Sequence, residues 1–364
     1  MNNQDSAVIY RPQSALFWVF IFALVIGALG ALEQLAPGLR ETLDSNLVLV
    51  PVWLAFICGM VKLLLLFDPM RAGRQFPQVL CAGAMLGGTT ALTLAIYGNS
   101  LIENEILSSL FPSEFVEDWG PAIGAPLVEE LSKATVAAIL LLLCAPKLRR
   151  LSHALVVGMF VGLGFDLMED LSYGLSAAIN SLESDLAGAA ESLAMRIATA
   201  VPSHWAFTGL SAAGLMLLLP SYEERAKWQP QRRVGAALAL FFCAWLMHFF
   251  WNSPAPDFIE ADENLAILYM LFKFTFNICV FLGAVRLLLR EEQSWVAARI
   301  AEGRKPGGLL SAIPAPLLGS LKSYTTRRAL RVQAQMQGGR KAARRTAFHQ
   351  KWVLDVIQNG LPPD

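Results

Sequence analysis

Four short stretches place ionisable side chains inside otherwise apolar sequence. The first is Pro126-Leu-Val-Glu129-Glu130-Leu-Ser-Lys133. In a helix Glu129 and Lys133, four apart, share a face, while Glu130 lies about 100° round. The second runs from Gly164 to Tyr173 and puts Asp166, Glu169 and Asp170 on one face at i, i+3 and i+4. The third, from Pro202, carries His204 and Thr208, and the fourth carries His248 and Asn252, each pair four apart. A charged group at bilayer depth costs at least about 2.5–3.5 kcal/mol, so it needs a partner, a cavity or a function. Each stretch alone has a structural explanation. Glu129 and Lys133 make an ion pair, a single histidine bonds a carbonyl, Asn252 caps a helix end, and Asp166 and Asp170 sit in water. Taken together, Glu129, Glu130, Glu169, His204 and His248 point to a functional site.

Carboxylates beside imidazoles suit the activation of water. A glutamate in a partly dry pocket titrates closer to neutrality, takes a proton from water and returns it to a leaving amine. A His or Asn aimed at a carbonyl holds the developing oxyanion. No serine or cysteine nucleophile is required, and no cofactor is required either. The same donor types hold zinc in the alternative, with Glu169, His204 and His248 as ligands and another glutamate as base. Neither HExxH nor a cysteine ligand pattern is present. A rival from another class is a proton-coupled transporter or channel with a Glu/His relay, but transporters usually show repeat symmetry between halves, and none is visible.

These side chains must be carried by membrane helices. Of 364 residues, 55% are hydrophobic and 16% charged, with mean hydropathy +0.48. A soluble domain is about a quarter charged, so an ordinary water-soluble enzyme is excluded. Apolar runs place eight helices at about 15–35, 47–67, 78–97, 121–144, 153–175, 198–219, 234–252 and 264–289. The expected fold is an all-α polytopic bundle (1–289, motif core 120–255) followed by a basic, partly helical cytoplasmic tail (290–364). Loops holding Arg71, Arg74, Lys147, Arg149, Arg150, Arg225 and Lys227 alternate with acidic loops, which puts both termini in the cytoplasm. Counted from that side, Glu129, Glu169, His204 and His248 all fall within roughly 6–12 Å of the outer boundary.

The flanking features extend this picture. Residues 100–118 mix apolar and acidic side chains and read as an interfacial or re-entrant piece. Residues 182–197 read as an amphipathic cover that gates access. Lys62, Lys273 and Arg286 are expected to snorkel or pair, and His153 and His349 lie at the wrong depth. The five cysteines show no CxxC and read as packing residues. The segment 290–364 holds 13 Lys/Arg against 5 Asp/Glu, with helical stretches at 322–336 and 340–358 broken by Gly338-Gly339. Its expected partner is anionic lipid rather than nucleic acid.

EExxK at Glu129–Lys133, GFxxxEDxxY at Gly164–Tyr173, HxxFT at His204–Thr208 and HxxxN at His248–Asn252 resemble, in order and spacing, the motifs of the PrsW family of intramembrane proteases. That family is related to the type II CAAX prenyl endopeptidases. The resemblance implies an endopeptidase of the bacterial cytoplasmic membrane that cuts a membrane-anchored, anti-sigma-factor-like protein on the outer side. It also implies roles. Glu129 and Glu130 are the essential pair, Glu169 is the acid of the second motif, and His204 and His248 are its histidines. Glu129 activates water, and His248 with Asn252 stabilises the oxyanion. Lys133, Asp170, Tyr173 and Thr208 support them. Asp170 stands where relatives often have Asn, and Asn252 where some have an acid.

Overall fold

The computed structural model describes residues 9–359, so both chain ends lie outside it. No strand occurs among the described residues. A helix stands at each of the eight expected places: α1 Ala15–Glu41, α2 Leu43–Leu64, α3 Pro77–Leu110, α4 Ser113–Leu143, α5 Leu151–Asn180, α7 His204–Leu218, α8 Pro230–Asn252 and α9 Glu263–Gly303. The amphipathic α6, Asp185–Thr199, lies between α5 and α7. Six of these helices are long and apolar enough to cross a membrane: α1, α2, α3, α5, α8 and α9. The chain is therefore a multi-pass membrane protein. Of the other two, α7 is apolar but only 15 residues long, and α4 carries the EExxK charges in its middle.

Burial identifies the helix around which the others pack. In its most apolar stretch α5 is 89% buried, against 22% for α1 and α8, 17% for α9 and 11% for α2. Those four face outward as lipid-facing helices do, since lipid tails cover apolar side chains as well as protein does. The close packing around α5 depends on small residues. A Cβ at Gly164 would run into Ala84 O of α3, and one at Gly162 would stand 2.5 Å from Trp205 Cα of α7. Glycine on α5 thus lets both neighbours approach to backbone distance.

Two boundaries differ from the sequence expectation. The expected sixth span begins at 198, yet α7 begins only at His204, after non-helical residues around Pro202. The segment 100–118 continues α3 to Leu110 and then starts α4 at Ser113. Within α3 two π-helical stretches, Gly87–Ala91 and Leu101–Leu107, interrupt the α-helical pattern.

Compact packing divides the chain into two units: the segment up to Leu64 with Gln78–Ala284, and Leu65–Pro77 with the segment from Val285. In the second unit α10, Ala315–Ser320, and α11, Tyr324–Asn359, enclose a core of Met70, Val296, Leu318, Leu321, Val353 and Leu354. The break at Gly338-Gly339 is present, with Gly339 at φ 71°, a left-handed conformation suited to glycine. The Leu65–Pro77 loop is tied to α11 by Arg71 Nε donating to Asp355 Oδ1 at 2.6 Å. Within the loop Asp68 accepts from the backbone N–H groups of Ala72 and Arg74 at 2.8 and 3.1 Å. Burial nonetheless pushes the Asp68 carboxyl up to about 6.

Candidate active site

Three side chains of α4 begin the site. Lys133 Nζ, fully buried, lies 3.1 Å from Glu129 Oε2 and 3.0 Å from Glu130 Oε1. It also stands 3.9 Å from the centroid of the Phe165 ring of α5. One cation thus holds two buried carboxylates on adjacent residues, as their spacing from Lys133 at i−4 and i−3 permits.

The imidazoles complete the cluster. Lys133 Nζ lies 2.6 Å from His204 Nδ1. An ammonium only donates, so Nδ1 presents a lone pair and Nε2 carries the hydrogen. That N–H donates to Glu169 Oε2 at 3.1 Å. His248 repeats the arrangement with its atoms exchanged. Its Nδ1 lies 3.2 Å from Glu130 Oε1, and a carboxylate accepts, so Nε2 is left with the lone pair. Each histidine therefore hands one N–H to a carboxylate and keeps a lone pair on the other nitrogen, which in His204 Lys133 engages. His204 Nδ1 lies 3.7 Å and His248 Nε2 3.8 Å from the same atom, Glu129 Oε2. The rings stand edge to face at 4.8 Å, and Phe207 stacks on His248 at 5.2 Å.

The second motif does something the spacing did not suggest. Arg196 of α6 binds Glu169 Oε2 at 2.5 Å and also pairs with Asp170 Oδ1, and its guanidinium lies 4.4 Å from the Tyr173 ring centroid. All three polar residues of EDxxY thus converge on one arginine. Burial opposes its charge, but the two carboxylates outweigh burial and raise its titration further. The remaining acid of this helix, Asp166, reaches the start of α7. Its Oδ1 accepts from His204 N–H at 3.2 Å, and its Oδ2 accepts from Ser203 Oγ at 2.9 Å and Trp205 N–H at 3.2 Å. A side chain from α5 thereby caps the helix that carries His204.

The C-terminal end of α8 is held in a comparable way. Lys273 of α9 donates to Trp251 O and Ser253 O at 3.1 and 2.5 Å, and Asn277 to Met247 O at 3.2 Å. Lys273 thus binds carbonyls rather than reaching for a membrane surface. Asn252 donates to Pro121 O at 3.1 Å, tying α8 to α4. Thr208 is fully buried, and its hydroxyl meets no hydrogen-bond partner among the described residues. Glu129, Glu169, Tyr173, Arg196, His204, His248 and Asn252 all line one polar cavity of about 330 Å³. Asn99 and Glu103 of α3 also line it, and Asn99 Nδ2 donates to Glu129 Oε1 at 3.1 Å.

The structure thus brings the carboxylates and imidazoles of four separate segments into one cavity, as a water-activating site requires. Residues 75–281 match the sequence model of the PrsW family, described as intramembrane metalloproteases. The chain belongs to the PrsW family. No curated protein and no solved structure matches it. The PrsW match runs from α3 into the first half of α9 and so contains every residue of the cluster.

The family description raises the question of a metal, and the donor set fits one. Glu129, His204 and His248 each offer a ligand atom, all within 4.8 Å of one another. Tetrahedral zinc with bonds near 2.0–2.2 Å sets ligand atoms about 3.4 Å apart, so the Glu129 separations of 3.7 and 3.8 Å would close by a few tenths of an ångström and the two histidine atoms, within 4.8 Å, would draw together on loading. A metal-bound histidine usually gives its other nitrogen to a carboxylate, and both histidines do so here. Glu129 rather than Glu169 thus completes the triad of converging atoms, and Glu169 lies behind His204.

Sequence reasoning passed over Arg196, Asn99 and the capping role of Asp166. Arg196 carried a signal, being a basic residue in a loop between apolar runs that is otherwise without Lys or Arg. Asn99 carried little beyond its polarity near the end of an apolar run.

Proposed function

We propose that this PrsW-family protein cleaves a peptide bond of a membrane-anchored protein near the outer face of a bacterial cytoplasmic membrane. Glu129, His204 and His248 would be its reacting centre. The observation that carries this reading is the pair of carboxylate–imidazole couples, Glu169–His204 and Glu130–His248. Their lone-pair nitrogens, that of His204 also engaged by Lys133, face the same oxygen of Glu129.

In this reading Glu129, His204 and His248 hold a divalent metal, for which zinc suits the O/N donor set. A bound ion supplies a Lewis acid for the scissile carbonyl and lowers the pKa of water. Glu169 and Glu130 fix the tautomers that leave the correct nitrogens free. The neighbourhood carries six acids (Glu103, Glu129, Glu130, Asp166, Glu169, Asp170) against Lys133 and Arg196. That buried surplus of negative charge favours a further cation. Tyr173, Arg196 and Asn252 line the cavity where an extended peptide would lie, and α6 with Arg196 acts as the gate over it.

A second reading rests on Lys133. Its ammonium already engages His204 Nδ1 and Glu129 Oε2, so metal loading competes with it for those lone pairs. In a metal-free reaction Glu129 takes a proton from the attacking water as the new C–O bond forms. Asn252 and His248, which for this role must carry a hydrogen on Nε2 as well, steady the oxyanion, and the proton passes to the leaving amine as the C–N bond breaks. Cleavage of a single-span, anti-sigma-factor-like substrate by the purified full chain separates the readings. The metal reading expects activity lost on chelation and restored by zinc, with Glu129→Gln inactive throughout. Full activity after exhaustive chelation with no bound metal favours the second reading. Wild-type activity in Glu129→Gln removes both.

The basic segment from Arg290 would serve the same enzyme by holding anionic lipid. Arg328, Arg340, Lys341, Arg344 and Arg345 are exposed on α11. Stronger binding to vesicles containing anionic lipid than to neutral ones, lost when these five become Gln, is the expected outcome.

A further inference from the structure

Asn99 belongs to none of the four motifs. It lies on α3 between the two π-helical stretches, Gly87–Ala91 and Leu101–Leu107. Such stretches re-aim the side chains that follow them and are frequent at functional sites. Here the helix is pressed close to α4 at the same level, because a Cβ at Gly98 would run into Val128 Cγ1. Asn99 is thereby brought to the residue next in chain after Val128, and its Nδ2 donates to Glu129 Oε1 at 3.1 Å. Glu103, about one turn further on, lines the same cavity, so this face of α3 is a wall of the site.

Two features distinguish this contact from packing. The first is which oxygen it uses. Asn99 takes Oε1, whereas Oε2 is the oxygen near Lys133, His204 Nδ1 and His248 Nε2. Holding Oε1 prevents the carboxylate from rotating its second oxygen away from the imidazoles. The second is the other end of the amide. Asn99 Oδ1 is buried and meets no hydrogen-bond partner among the described residues, although the residue lines a polar cavity. A buried acceptor without a donor has lost its hydration with nothing in return. A water or a peptide N–H in the cavity would satisfy it.

We propose that Asn99 is a positioning residue of this site. It orients Glu129 through Oε1 and offers Oδ1 to a group bound in the cavity. The inference rests on the proposed reading of Glu129, His204 and His248 as the reacting centre, and the experiment tests the two separately. Zinc affinity is measured on the full-length chain in detergent by competition with a chromophoric chelator. The kcat and KM for a single-span substrate are measured alongside. The variants are Asn99→Leu, close in volume but without the amide, and Asn99→Ala, which folds more readily if leucine does not fit. Asn104→Leu, on the exposed side of the same helix, is the control.

The expected result is a 10–100-fold loss of zinc affinity in both Asn99 variants, as for other residues that orient a ligand. A loss of kcat of similar size is expected with KM within about twofold, and Asn104→Leu is expected to match wild type. If the wild-type chain cleaves without metal, the kcat ratio alone decides. Asn99 variants within about twofold of wild type in both readouts overturn the inference while the site reading stands. A wild-type chain that neither takes up zinc nor cleaves overturns the site reading, and the inference falls with it.

Discussion

Asp166 shows how far the site depends on a residue outside its chemistry. The two backbone N–H groups at the start of α7 and the Ser203 hydroxyl all donate to this one carboxylate. Ser203, in the capping position, makes no side-chain cap of its own. Asp166→Leu therefore strands two donors, at about 1–3 kcal/mol each where they are buried. It also removes an anion from a helix N-terminus, worth about 0.3–2 kcal/mol. Together these amount to roughly 2–8 kcal/mol, enough to threaten folding of α7. Asp166→Asn keeps one acceptor oxygen and turns an amide N–H against a donor, so one bond is lost, at about 1–3 kcal/mol. His204 is the first residue of α7, and a shift of about 1 Å there can cost about 100-fold in rate. The expected order of stability, read as the midpoint of SDS-induced unfolding, is wild type, Asp166→Asn, Asp166→Leu. Activity should fall in the same order. Asp166→Asn with both midpoint and rate at wild-type values would refute the capping argument. So would Asp166→Asn with a wild-type midpoint and no activity, since Asp166 would then act in the chemistry.

Three further outcomes follow from the same geometry. Arg196→Gln breaks two ion pairs of a guanidinium that is 25% exposed, a local loss of about 1–3 kcal/mol after discounting for solvent. A cysteine placed at Ala190, packed on the α6 face, should then react faster with maleimide; an unchanged rate would count against α6 being latched by Arg196. Gly164→Ala should push α3 from α5 and abolish a monodisperse folded peak on size exclusion, because its Cβ has only Ala84 O to displace. In the Leu65–Pro77 and Val285-onward unit, Asp68 titrates at about 6 when folded and at a lower value when unfolded. The folded state therefore binds the extra proton between about pH 4 and 6. Stability should fall across that window by up to roughly 3 kcal/mol and level off above it. Asp68→Asn should flatten the slope, followed through Trp295 and Trp352 fluorescence, and a midpoint that rises across the window would contradict the assignment.

Helix positions were legible in the sequence because in hydrocarbon the backbone has no other way to satisfy itself, so an apolar run of the right length names its own structure. The amphipathic α6 and the Gly338-Gly339 break were legible for equally local reasons, a helical period and a residue that tolerates positive φ. The start of α7 was not. Apolarity reads through Ala198–Ala200, but the helix begins where Asp166, some 38 residues earlier in the chain, supplies its cap. The site divides along the same line. Residues that bear chemistry stood out because charge in an apolar run is expensive, and cost is visible one residue at a time. The partner that makes each of them affordable comes from another helix, and spacing along the chain says nothing about it. Glu169 showed this most clearly. Its side-chain type suggested a possible ligand, whereas the structure sets it between Arg196 and His204, where it accepts from Nε2 and leaves the lone pair on Nδ1.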